Sequence, residues 1–404
     1  DGDGPALYVG GTFLHASGVE VNHVARWDGE SWSALAGSTG IGVNEEVRAL
    51  AVFDDGSGPA LYVGGDFTEV GGAAAAYVAR WDGSSWDTLT GASGTGTSGP
   101  VWSLATFDDG TGSGLYVGGD FDDAGGIEVM HIGRWDGTEW SALIGTSGTG
   151  TNNTVHKMIT WDDGSGTSLY AGGRFSWAGG MSVSRIAEWN GTDWSALTGS
   201  SGTGTGSWVE DLAIYDDGTG SALYAGGQFT TAGGVAANRV AKWDGSEWSA
   251  LVGAGGNGAD QIVWSLGVFQ GRLIAGGRFD MAGGVTANGI ASWDGSTWAG
   301  MSGPNGVGIE GTVDSLVVYD DGTGDGLYAS GSLYLAGGDY ANNIARWDGE
   351  NWSSLGIPAG DAVNRAVNTL VTWNDGGGEI LVAGGQFGGA GDITAKNIAA
   401  WNGS

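Results

Sequence analysis

Residues 61–89 read Leu61-Tyr-Val-Gly-Gly-Asp-Phe-Thr-Glu-Val-Gly-Gly-Ala-Ala-Ala-Ala-Tyr-Val-Ala-Arg-Trp-Asp-Gly-Ser-Ser-Trp-Asp-Thr-Leu89, and the rest of the chain writes this unit again and again. Trp27, Trp81, Trp135, Trp189, Trp243, Trp293, Trp347 and Trp401 each open a Trp-(Asp/Asn)-Gly element and stand 54 residues apart, with a single step of 50, which makes eight copies. Apolar runs of four to six residues, alternating as in Leu61-Tyr-Val, are bounded by Gly pairs or Asp-Gly. Those are strands joined by tight turns.

A chain of 404 residues would ordinarily hold two or three domains. Each copy, however, is too small to bury its own apolar faces, so the unbroken period predicts one domain over residues 1–404. Gly supplies 85 residues, about three times its usual share of roughly 7%. With 21 Trp, 11 Tyr and 10 Phe the chain is far too aromatic for a flexible linker, so the glycines are read as turns and the aromatics as core. Both ends cut through a repeat: Asp1-Gly-Asp-Gly-Pro-Ala-Leu-Tyr8 aligns with Asp55–Tyr62, and Trp401-Asn-Gly-Ser404 stops short of the next Trp, which reads as a piece of a longer protein.

Forty-six acidic against 14 basic residues leave a net charge of −32, which argues against nucleic acid or an anionic membrane surface as partner, because both would be repelled. There is no Cys, hence no disulfide framework, no thiolate metal site and no Tyr–Cys crosslink of the galactose-oxidase kind. The longest apolar run, Ile262 to Phe269, is broken by Ser265 and Gly267 and falls far short of the roughly 18 residues needed to cross a bilayer.

A full repeat holds four strand-like pieces, for example Val101–Phe107 (a), Leu115–Gly118 (b), His131–Trp135 (c) and Trp140–Leu143 (d). Four short antiparallel strands per repeat of ~40–50 residues are the signature of a propeller blade. The fold predicted is therefore all-β, an eight-bladed β-propeller of four-stranded antiparallel blades. The first blade lacks its a strand and the eighth its d strand, and closing a ring would need roughly 24 further residues.

The Gly doublet ending strand b, the aromatic in c, and a Trp followed three residues later by Leu in d (Gly172-Gly173, Trp189, Trp194 and Leu197 in the fourth copy) resemble kelch repeats. The chain is closer still to the Gly- and Trp-rich propeller-like repeats of large secreted bacterial proteins. It departs from kelch in using Trp rather than Tyr in c, in a second Gly pair such as Gly179-Gly180, and in a long b–c segment. The resemblance implies a secreted or cell-surface location and a propeller fold; fold likeness does not define a partner.

The paired tryptophans of Trp-Asp-Gly-x-x-Trp fall on neighbouring strands, and each can bury ~150–250 Å². They are expected to fill the spaces between blades. Gly at the end of b provides either positive φ or room for a neighbouring backbone. The short step replaces an acidic a–b turn with Phe269-Gln-Gly-Arg-Leu273, so that turn is dispensable for the blade.

Elsewhere the turn carries paired acids: Asp54 and Asp55, Asp108 and Asp109, Asp162 and Asp163, Asp216 and Asp217, Asp320 and Asp321, with Asn374-Asp375 as a variant. Carboxylates clustered with Gly suit Ca2+, although Asp-Gly is also ordinary turn chemistry and the spacing is not that of an EF-hand. These are the Ca2+ candidates; no other cofactor is expected. The Asp-Gly-x-x-Trp turn is similar to the Asp-box of sialidases, one residue short, and implies a fold element away from any catalytic centre. His23 and His131 share one repeat position in blades that are not adjacent, which argues against a shared metal. Gly-x-Gly here precedes strands, not helices, so no phosphate loop is present.

Because the repeats set the frame, function is expected at positions that differ from copy to copy. The second residue of strand a reads Arg48, Trp102, His156, Glu210, Trp264, Asp314 and Asn368, placed at the channel mouth in a usual propeller. The residue after Gly-Gly reads Thr12, Asp66, Asp120, Arg174, Gln228, Arg278, Ser332 and Gln386. Trp102 and Trp264 are expected to offer open ring faces to a glycan or peptide, beside charged groups that set its orientation. The expectation is a binding or scaffold module without catalysis; a self-assembling surface-layer or filament subunit and a glycan-active enzyme are the alternatives.

Overall fold

The computed structural model describes residues 6–401 apart from 17, 29, 356–362, 364, 375–378 and 391–396. Every regular element among the described residues is a β-strand, and none is a helix long and apolar enough to cross a membrane. The protein is all-β, with eight β-propeller blades of the four-stranded antiparallel type. Blade three gives the plan: strands a (Val101–Asp108), b (Ser113–Gly119), c (Ile132–Trp135) and d (Trp140–Ala142) lie side by side in that order, each antiparallel to the next. Blade one begins at b (Leu7–Gly10) and blade eight ends at c (Ile398–Trp401), so each has three strands among the described residues.

The chain divides into two compact units, Asp1–Thr12 with Val19–Val209, and Phe13–Gly18 with Glu210–Ser404. Within each unit the plan is the same. Strand a of one blade packs on strand a of the next, and the apolar core lies between sheets rather than inside them. In the first unit Phe53, Tyr62 and Leu89 of blade two close on Val101, Phe121 and Trp140 of blade three. In the second, Tyr215, Tyr224 and Leu251 of blade five close on Val263, Phe279 and Trp298 of blade six. The Phe after Gly-Gly-x is part of this core in both units, with Phe67 and Phe229 fully buried.

The glycine doublet ending strand b answers a need for close approach, not for positive φ. A Cβ on Gly64 would lie 2.4 Å from Val101 Cγ1 of the next blade, and one on Gly65 would lie 2.0 Å from the Glu46 carbonyl. The second Gly pair is the opposite case. Gly125 and Gly126 take φ of 58° and 77°, the left-handed pair that a two-residue hairpin turn requires. They join two short strands, Asp123–Ala124 and Ile127–Glu128, that the sequence pattern leaves as a plain loop. A Cβ on Gly125 would also run into the indole of Trp140, at 2.3 Å.

Candidate functional site

The second residue of strand a is an inserted residue. In blade two Val47 pairs with Gly65 and Ala49 with Gly64, so Arg48 stands between them without a cross-strand partner, and the same skip isolates Trp102, His156, Trp264, Asp314 and Asn368. Such a bulge bends the strand and re-aims one side chain. The residue after Gly-Gly is tied beside it: the amide of Asp66 donates to the carbonyl of Glu46 at 2.9 Å, and Asp120, Arg174, Arg278 and Gln386 make the same bond. The two variable sets therefore meet at one end of these blades.

In the first unit three successive bulge residues form a column. Arg48 donates from Nε and Nη2 to both carboxylate oxygens of Asp66, at 2.8 and 2.7 Å, and its Nη2 lies 2.8 Å from Glu46. Its guanidinium also sits 4.3 Å from the centre of the Trp102 ring, and that ring stacks on His156 with centroids 5.3 Å apart and planes at 27°. The expectation of an open Trp102 face is thus overturned: the neighbouring blades supply Arg48 and His156 to the ring, because the bulges bring adjacent a strands within stacking distance. What Trp102 keeps is a donor, since its buried Nε1–H has no acceptor among the described residues. Burial raises the pKa of Glu46, with Arg48 opposing and Asp66 reinforcing the shift. One blade further on, Arg174 lies 4.1 Å over the ring of Trp208.

In the second unit Glu210 accepts a hydrogen bond from Gln228 Nε2 at 2.8 Å, again joining the two variable sets within a blade. Trp264 and Asp314 are half-buried, and Arg278 and Asn368 exposed. Desolvation pushes the Asp314 carboxyl up to about 6, against a lowering hydrogen bond from Thr312. The histidines of the shared repeat position, His23 and His131, both take φ of 67°, and His131 lies 3.8 Å from Asp120 and from Asp122. Burial lowers the pKa of His131, opposed by those two carboxylates. Among the described residues no group of three or more His, Asp or Glu side chains is arranged to hold a metal ion.

The acidic turns sit at the other end of the blades, and the residues that answer them escaped the sequence reading. Asp54 Oδ1 accepts from the amides of Gly56 and Gly58, at 2.9 and 3.0 Å, and Asp108, Asp162, Asp216 and Asp320 repeat this turn. The second acid points inward. Asp55 accepts from the Ser57 hydroxyl and, at 3.0 Å, from the phenol of Tyr62 in strand b. Arg80 in strand c faces the same carboxylate with Nε 3.0 Å away, off the N–H direction, as an ion pair rather than a hydrogen bond. Asp109 with Tyr116 and Arg134, Asp217 with Tyr224 and Lys242, and Asp321 with Tyr328 and Arg346 repeat the triad. Burial works against the charge of Asp217, but Lys242, Thr219 and Tyr224 outweigh it and hold its pKa at about 2. In these four blades a side-chain cation lies against the second turn carboxylate. Asp375 lies outside the described residues.

The triad has a readable sequence signal. Tyr in b and a cation in c are direct cross-strand partners, Tyr62 with Arg80 and Tyr224 with Lys242. Blade six, which has no acidic turn, also has Ile274 opposite Ser292. Blade four breaks the rule: Asp162 and Asp163 are present, Tyr170 is present, and Glu188 stands where the cation belongs.

The strand order defines the chain as a propeller-class protein, and comparison with known proteins adds the following. No family model matches the chain, and no curated protein matches it. Among solved structures it is similar to the WD40 β-propeller domain of Doa1 at 13% identity, covering 89% of this chain and 93% of that one with a TM-score of 0.42. It is also similar to an extracellular domain assigned to a one-component system of B. thetaiotaomicron, at 11% identity over 98% of this chain and 57% of that one, TM-score 0.33. A further extracellular domain, assigned to a hybrid two-component system of the same organism, matches at 11% identity over 93% and 49%, TM-score 0.36. The chain spans about half the length of the last two.

Proposed function

We propose that the chain is a non-catalytic, extracellular binding or scaffold module whose ligand, a glycan or a peptide, is held at the bulge end of the blades. The observation that carries this reading is the contrast at one position: the backbone bulge recurs from blade to blade while its side chain changes from Arg48 to Trp102, His156 and Asp314. A residue needed only for packing would recur as the tryptophans do. The unanswered Nε1–H of Trp102, framed by Arg48 and His156, is a preset donor for a ligand carbonyl or hydroxyl. Location outside the cell rests on the likeness to Gly- and Trp-rich repeats of secreted bacterial proteins, and a kelch-type relationship belongs to the same proposal.

The test is a screen of the labelled protein against a glycan array and a random peptide library, repeated with Trp102→Phe. Phe keeps the ring between Arg48 and His156 and removes only the donor. Hits should weaken about tenfold, the value of one hydrogen bond in a desolvated site, while the melting temperature stays near that of the parent. Undiminished binding by Trp102→Phe would remove this end of the first unit as the site.

Self-assembly as a surface-layer or filament subunit is the second reading. It is favoured by Tyr334 and Tyr340, which stand exposed on the long hairpin of blade seven with ring centroids 5.5 Å apart. Sedimentation velocity of the parent and of Tyr334→Ser/Tyr340→Ser tests it, a concentration-dependent polymer lost in the variant being the outcome that supports it.

A further inference from the structure

We propose that blade four holds a hard divalent cation, Ca2+ by its donor chemistry, between the acidic turn at Asp163 and Glu188 in strand c, where five other blades carry an arginine or lysine.

The charge arrangement comes first. Asp55, Asp109, Asp217 and Asp321 each lie 2.5–3.1 Å from a cationic nitrogen of Arg80, Arg134, Lys242 or Arg346. Blade four keeps both turn acids and adds a third, Glu188, at the register position of those cations. Leaving a covered carboxylate without its cation is costly, and a second carboxylate at the same place raises the cost. Blade six, which lost the cation, lost the acids as well.

The second observation is Tyr170. Its side chain is fully buried, it stands directly opposite Glu188, and its hydroxyl has no hydrogen-bond partner among the described residues. The matching phenols Tyr62, Tyr116, Tyr224 and Tyr328 all donate to the turn carboxylate at 3.0 Å. The Tyr170 oxygen is thus a buried polar atom near Asp162, Asp163 and Glu188, with nothing among the described residues to answer it.

A third change fits the same gap. In blade three the position below the guanidinium is Gly114, where a Cβ would lie 2.6 Å from Arg134 Nε, and Gly326 stands in the same relation to Arg346. Blade four has Ser168 there, buried, with its hydroxyl on Glu188. Room that blades three and seven leave for an arginine holds a hydroxyl instead. Asp163, Glu188, Ser168 and Tyr170 offer only oxygen, and Ca2+ is the common cation that takes oxygen donors in an irregular shell completed by backbone and water. Two carboxylates match its charge. This inference is independent of the bulge-end ligand.

The experiment uses the whole 404-residue chain, stripped with EDTA and titrated with CaCl2 by calorimetry and by thermal melts, against the double variant Glu188→Arg/Ser168→Gly. That variant writes the residues of blade three into blade four, so it is expected to fold. The parent should show one saturable Ca2+ site and a melting temperature that rises with Ca2+. The double variant should lose both, and without Ca2+ it should melt no lower than the stripped parent. A stripped parent with no saturable site, or a double variant that binds Ca2+ as tightly as the parent, overturns the proposal.

Discussion

The indole of Trp140 reaches beyond its own blade and donates its Nε1–H to the carbonyl of Leu89, 3.1 Å away in the preceding blade. Trp86, Trp194, Trp298 and Trp352 make the same bond to Leu35, Leu143, Leu251 and Met301. One residue thus fills the space between two sheets and ties them together. Trp140→Ala should cost about 3–5 kcal/mol through the cavity and the orphaned carbonyl. Trp140→Phe should cost less, because it keeps most of the volume. Urea unfolding of the three proteins measures both, and near-equal stabilities would mean that this contact is not what joins the blades.

Asp217 makes the acid limb of the stability curve depend on the triad. Its pKa is about 2 in the folded chain against an ordinary 3.8, so its stabilising contribution is complete above about pH 4 and is lost as pH falls toward 2. The carboxylate is covered but lies just under the surface, so screening reduces the effect to about 1–2 kcal/mol. Lys242→Met should flatten that part of the curve and lower stability at pH 7. Chemical denaturation between pH 2 and 7 checks the slope.

Asp314 behaves in the opposite sense. Its folded pKa of about 6 exceeds the ordinary 3.8, so the folded chain binds this proton more tightly and loses stability as pH rises from about 4 to 6. Asp314→Asn should remove that loss and be more stable than the parent at pH 7 by about 1 kcal/mol, after allowing for the water that reaches a half-buried group. Below pH 4 the two should coincide. Melts across this range decide it, and a parent whose stability does not fall would show that the carboxyl is already ionised at low pH.

The main blade strands, the Asp-Gly turns and the interblade tryptophans were legible in the sequence, whereas the short hairpin across Gly125-Gly126 was not. Period-two alternation, Asp-Gly and Gly-Gly each act within a few residues, and the 54-residue spacing carries that local information from blade to blade. The candidate site was legible only as a list of variable positions. Nothing in the letters of Arg48 or Trp102 marks an inserted residue, because a bulge is a mismatch between strand a and strand b, and either strand alone looks regular.

Side-chain partnership was likewise decided by the tertiary structure. Trp102 met Arg48 and His156 from blades 54 residues away on either side, which closed the faces its sequence position seemed to offer. Asp55 found Arg80, 25 residues on, through the cross-strand register of Tyr62 with Arg80, a pairing that only the assembled sheet establishes. Short-range geometry is written into the chain by neighbouring residues. Charge balance and stacking depend on which distant residues the register brings within a few ångströms, which is why the exception at Glu188 acquires a meaning only beside Tyr170 and Asp163.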